Sequence, residues 1–179
     1  MDKQAQKQEV WLRGPLPGVP PLLQPAAHAL LQAGEELAGL ADTFPNDLLW
    51  HKPAGLASVG FHLQHLTGVL DRLFTYADER LLSDGQLTYL KNEGSEPFPG
   101  CNYTALLHAF DRQVEASIAY FKMVEESTLT DLRYVGRARI PSTKLGLLFH
   151  AAEHTQRHTG QLLVTARMLM QQVDGIIRL

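Results

Sequence analysis

"SVGFHLQHLTGVLDRLFTYADERLL", residues 58–82, decides the fold. Val59, Leu63, Leu66, Leu70, Leu73, Ala77 and Leu81 recur every three or four residues, so a helix of 3.6 residues per turn gathers them into one apolar stripe. Ser58 stands just ahead of the stripe, where a hydroxyl can accept a hydrogen bond from the first free amides. The spacing predicts an amphipathic helix over 58–82 with one face turned to a core.

The same period recurs on both sides. "AAHALLQAGEELAGLA" predicts a helix over 26–41, stopped by "DTFPND". "SDGQLTYLKNEGSEPFPG", 83–100, reads as a loop rich in Gly, Pro and Ser, and "NYTALLHAFDRQVEASIAYFKMVE" predicts a helix over 102–125. Residues 126–142 read as an irregular connection, with a short hairpin suggested around Gly136 in "RYVGRARI". A last helix is expected from Pro141–Ser142 to about Val173. No run reads firmly as a strand and nothing repeats, so the chain is all-α, a four-helix bundle. Its connections, roughly 15 to 19 residues long, are of a length that often carries function.

Ahead of the bundle, "RGPLPGVPPLLQP" packs five prolines and two glycines into 13–25 and is expected to be extended rather than helical. Residues 1–25 are read as an N-terminal arm, partly disordered in its polar first ten, and 26–179 as a single domain. The arm's Trp11, Leu12, Leu16, Val19, Leu22 and Leu23 suit packing on the bundle or on a second subunit.

Composition excludes several classes. With 179 residues, 45% of them hydrophobic, the chain can bury one sizeable core. A formal charge of −3 and no basic stripe argue against nucleic acid as a partner. No run approaches the roughly 18 apolar residues of a membrane span, and the start lacks a signal-peptide pattern, so a cytoplasmic protein without a membrane partner is expected. The single Cys101 forms no internal disulfide and reads as a small buried hydrophobe.

Histidine is the unusual residue: five of the eight lie in two clusters. In "HAAEHTQRHTGQL", 150–162, His150, His154 and His158 stand four apart. At about 1.5 Å and 100° per residue, neighbouring members lie about 6 Å apart on one face, whereas His150 and His158 are about 12 Å apart. Either His150–His154 or His154–His158 can share a cation. Leu147, Ala151, Leu162 and Leu169 place the stripe at the core's edge, where neutral imidazoles suit a zinc- or nickel-type ion. A third ligand, with water as the fourth, would come from His62 or His65. The helical wheel leans toward His62, nearer the apolar stripe, with His65 on its flank beside Arg72 and Tyr76.

Two familiar metal sites are excluded. A metallopeptidase helix needs His-Glu-x-x-His, but Thr155 follows His154. A di-iron bundle needs Glu-x-x-His, and no glutamate here has a histidine three residues later. Around the candidates, Gln161 shares the stripe and could hydrogen-bond a ligand imidazole. His150 suits a base behind the ligands, His62 and His108 could line a cleft, and Arg72 and Tyr76 could meet an anionic substrate. Glu153 and Arg157 make a surface pair.

Trp50, Pro53, Ser58 and the His65–Leu66 pair, together with "HTQRHTGQ" on the last helix, resemble the DinB family of YfiT-like metal-binding four-helix bundles. Thr159 stands where that family usually has arginine. The resemblance spans about 26–172 and implies that the metal ligands are His65, His154 and His158. It also implies, for some relatives, thiol-dependent S-transferases or isomerases using a low-molecular-weight thiol, and often a homodimer. With a three-imidazole site open to water or a small-molecule substrate, a divalent-metal-dependent enzyme of the thiol-transfer or hydrolase type is expected. The alternative is a non-catalytic module in which the metal staples two helices.

Overall fold

The computed structural model describes residues 8–177, with side chains through 171. Four long helices form the bundle: α1 (Gln24–Ala38), α2 (Val59–Ala77), α4 (Tyr103–Met123) and α5 (Lys144–Ile177). A short helix α3 (Asp84–Asn92) lies between α2 and α4, and an antiparallel hairpin of β1 (Leu132–Val135) and β2 (Ile140–Thr143) precedes α5. Both α1 and α2 pack on α4 and α5. Leu30, Leu37, Leu63, Leu66, Leu70, Phe110, Phe121 and Leu148 are fully buried between them. Each such burial favours the fold by about 1.5–3 kcal/mol.

Helix α2 begins where its sequence says. The Ser58 Oγ accepts the Phe61 amide at 3.1 Å. It ends five residues earlier than the stripe suggests. Arg133 of β1 donates through Nε to the Ala77 carbonyl at 2.7 Å, occupying an acceptor at the helix end. Glu79 then adopts a left-handed φ of 58°, and Leu81 is 84% exposed rather than part of the core.

The stretch 83–100, expected to be a loop, contains α3. Its start is a reciprocal cap: Ser83 Oγ accepts the Gln86 amide at 3.2 Å, and Gln86 Oε1 accepts the Ser83 amide at 2.9 Å. Gln86 Nε2 also donates to Asp71 Oδ2 and Thr75 Oγ1, tying α3 to α2. The helix buries none of its own residues, so its apolar period is weak. The hairpin around Gly136 forms, with Val135 paired to Ile140. Its second strand delays α5 to Lys144, where Thr143 Oγ1 accepts the Gly146 amide at 3.0 Å.

Residues 1–7, most of the polar start expected to be disordered, lie outside the described residues. Residues 8–23 run beside α1 and are not wholly extended: single 3-10 turns occur at Val10–Arg13 and Pro21–Leu23. Prolines fit there because Pro21 opens its turn and Pro25 sits in the first turn of α1, where no amide hydrogen is needed. Arg13 grips Glu35 with both Nη atoms, at 2.6 and 2.7 Å, and Val10, Val19 and Leu23 are buried. Trp11, Leu12 and Leu22 stay exposed.

Before α2, the chain folds back through Trp50. A Cβ at residue 60 would lie 2.5 Å from the Trp50 ring, so only glycine admits this contact. The contact and the Gly60 amide bond to the Leu49 carbonyl, 2.8 Å, hold segment 49–57 against the first turn of α2.

Candidate metal centre

His65 projects from α2 and His154 and His158 from successive turns of α5. One ring nitrogen from each falls in a group whose members all lie within 4.8 Å of one another. Nε2 of His65 stands 2.9 Å from Nε2 of His154, and the ring of His158 is 4.5 Å, centroid to centroid, from each of the other two. The cluster is half-buried. It could hold a divalent cation, since the donors converge and are uncharged. Burial pulls the imidazoles of His154 and His158 down to about 4, and the neighbouring histidines add to the effect.

Behind His65 stands a residue that sequence reasoning missed. Glu93, at the end of α3, accepts from His65 Nδ1 at 2.7 Å, and its other oxygen accepts from Arg72 Nη1 at 2.7 Å. Burial alone would raise the Glu93 carboxyl. The hydrogen bonds from His65 and Arg72 outweigh it and hold the group below its ordinary range. With Nδ1 carrying the hydrogen toward Glu93, the His65 lone pair at Nε2 faces the cluster.

Glu93 is placed by α2 itself. Gln64 Oε1 accepts the Gly94 amide at 2.7 Å and Gln64 Nε2 donates to the Ser95 carbonyl at 2.9 Å. Gly68 makes room: a Cβ there would lie 2.5 Å from Arg72 Nη1 and 2.6 Å from Glu93 Oε1. Phe61 stacks on the His65 ring at 5.3 Å.

The remaining candidates fall elsewhere. His62, toward which the wheel leans, is the more buried histidine but lies behind His158, with Nδ1 3.0 Å from Nδ1 of that residue. Burial, then His158 and His65, pull it down to about 4. Gln161 is exposed and makes no hydrogen bond to a clustered imidazole. His150 is half-exposed, 3.3 Å from Glu153, which also binds Arg157. Arg72, expected to meet substrate, is buried and committed to Glu93, and Tyr76 packs on the hydrophobic core. His108 is exposed on α4, and Cys101 is buried. His154 Nδ1 and the Thr159 hydroxyl, where arginine was the usual family residue, are buried without a hydrogen-bond partner among the described residues.

Fold and site together define a helical bundle with a three-imidazole cluster able to take a divalent ion. The chain belongs to the DinB superfamily, whose profile matches residues 29–162. It is similar in fold to a conserved protein of Enterococcus faecalis, with a TM-score of 0.66 at 18% identity, over 83% of this chain and 97% of that one. A DinB-like protein from Bacillus cereus ATCC 10987 aligns with a TM-score of 0.58 at 14% identity, over 83% and 90%. No relative was found among curated proteins. No helix among the described residues is long and apolar enough to cross a membrane.

Proposed function

We propose that the protein is a divalent-metal-dependent enzyme of the thiol S-transferase or hydrolase type, with His65, His154 and His158 as ligands. The observation that carries this reading is the meeting of three imidazoles from two helices at one point, one of them ordered by a buried carboxylate. Three nitrogen donors favour zinc or nickel over magnesium or calcium, which take oxygen. When bound, such an ion polarises a water, thiol or carbonyl at an open coordination position. The chain supplies the frame: Glu93 fixes the tautomer of His65, Arg72 neutralises Glu93, and His62 occupies the outer nitrogen of His158. The cluster's partial exposure supports access for a small-molecule substrate, with a low-molecular-weight thiol as the second reactant. A cytoplasmic homodimer completes the reading.

One observation favours a second function. The cluster straddles the seam between α2 and α5, so an ion there would also staple the bundle without catalysis. Metal analysis and cobalt substitution separate the cases. His154→Ala should lose most of its metal from a ratio of about one, and full retention would overturn the ligand set. A thiol-to-cobalt absorption band on adding glutathione supports the enzyme; a spectrum indifferent to thiols and anions supports the staple.

A further inference from the structure

Beside the cluster lies a cavity of about 620 Å³. Its apolar wall comes from Pro53 and Leu56 on the segment held by Trp50, and from Val164 and Met168 on α5. None of the three clustered histidines lines it, but His62 does, the residue hydrogen-bonded to His158. The volume is that of a small-molecule site, for which about 300–1,000 Å³ is usual. Leu56, Val164 and Met168 are 66%, 59% and 50% exposed, so the wall presents apolar surface to the space. Gly160 also lines it, and a Cβ there would meet nothing within 4 Å.

The hydrogens of the two histidines give the cavity a polarity. If His158 offers Nε2 to an ion, its Nδ1 carries the hydrogen and donates to His62 Nδ1. His62 then bears its own hydrogen on Nε2, the one ring nitrogen left for the cavity. Arg157 lines the cavity too, but its charge is paired with Glu153.

We propose that this cavity binds a small molecule with an apolar body and an anionic or carbonyl head, the head accepting from His62 Nε2 and the body lying on Leu56, Val164 and Met168. The occupant is a substrate-sized amphiphile rather than a second copy of the chain, because a buried imidazole donor on an apolar wall selects a head group and a body together. Only the direction of the His62 hydrogen rests on the metal reading.

Two fluorescent probes test it on the full chain: 8-anilinonaphthalene-1-sulfonate, with an anionic head, and neutral N-phenyl-1-naphthylamine. Both should bind the metal-free and the cobalt-loaded protein saturably at about one per chain, the sulfonate more tightly once cobalt fixes the His62 hydrogen on Nε2. Gly160→Leu sends a side chain toward the cavity from a position where the added Cβ meets nothing within 4 Å. It should weaken both probes at least about tenfold while the melting temperature holds or rises, since leucine favours helix over glycine. In cobalt-loaded protein, His62→Phe should weaken the sulfonate about tenfold and leave the neutral probe within about twofold. In cobalt-loaded protein, the sulfonate should shift the visible spectrum of the wild type and not of His62→Phe. Probe binding unaffected by Gly160→Leu would overturn the proposal, as would a change in oligomeric mass with no probe bound, which would make this face an interface between copies. Should His62→Phe fail to fold, Gly160→Leu and the two probes still decide. Probe binding without cobalt binding would sink the metal reading and leave the cavity standing.

Discussion

Nε2 of His65 and Nε2 of His154 approach to 2.9 Å, yet what stands behind the two rings differs. On the α2 side, His65 rests on Glu93, Glu93 on Arg72, and Gln64 clamps the backbone beyond Glu93. On the α5 side, His154 Nδ1 is buried with no hydrogen-bond partner among the described residues, and His158 Nδ1 meets His62 Nδ1 at 3.0 Å. Two of the clustered imidazoles are thus backed across the bundle, His65 by a buried carboxylate and His158 by His62. His154 is placed by helix geometry. The Glu93 support is the one whose loss should disturb the cluster most.

The largest effect is expected from Glu93→Gln. It leaves the Arg72 guanidinium buried without its counter-charge, which costs on the order of 3 kcal/mol. Losing the carboxylate behind a metal-bound imidazole should also lower metal affinity about 10–100-fold. Denaturant melts of the metal-free protein and competitive zinc titration read the two effects separately. Unchanged affinity would mean that His65 is aimed by its helix alone, and the contrast between the two sides would collapse.

Acidification probes the α5 side next. His154 and His158 titrate near 4 in the folded chain against an ordinary 6.5. Between those values the unfolded chain binds more protons, so stability falls as pH falls through that window and levels off below it. The metal-free protein should therefore melt progressively lower between pH 6.5 and 4. His154→Ala should show a shallower slope over the same window. An identical slope would mean that the clustered imidazoles do not resist protonation.

A smaller effect is expected at Gly68. Alanine there gains helix propensity of about 1 kcal/mol but pushes its Cβ into the locked Arg72–Glu93 pair. Gly68→Ala should melt lower than wild type by about 1 kcal/mol and bind zinc more weakly, whereas Gly160→Ala, in open space, should melt higher. Equal shifts at both glycines would show that the ion pair yields freely.

This asymmetry also decides what was legible in the sequence. The ladder on α5 and the stripe on α2 are local periodicities, so the bundle and the His154–His158 spacing could be read directly. The choice between His62 and His65 could not, because burial and convergence are different properties. The wheel leans to His62 as nearer the apolar stripe, and His62 is buried, but the residue brought into the cluster is the one Glu93 reaches from 28 positions away. Glu93 sits in a stretch whose glycines and prolines read as loop. The one signal against that was Ser83 followed three residues later by Gln86, a helix start without an apolar run behind it. Leu81 continued the stripe on paper, but the helix end is set by Arg133, which arrives from a hairpin distant in sequence.

Gln161 should give the smallest effect and the sharpest control. Its place on the His154 stripe made it the sequence's own choice for orienting a ligand imidazole. Yet a side chain oriented along a helix face reaches a ring only if that ring turns its outer nitrogen that way, and Gln161 is exposed toward the cavity side of α5. Gln161→Ala removes no hydrogen bond to the cluster. It should change stability by less than about 0.5 kcal/mol, as exposed substitutions do, and zinc affinity by less than about threefold. Zinc titration of Gln161→Ala beside Glu93→Gln makes the comparison in one experiment. If the glutamine variant loses as much affinity as the glutamate variant, the α5 side has a support that the buried His154 Nδ1 does not display, and the two sides are equally built.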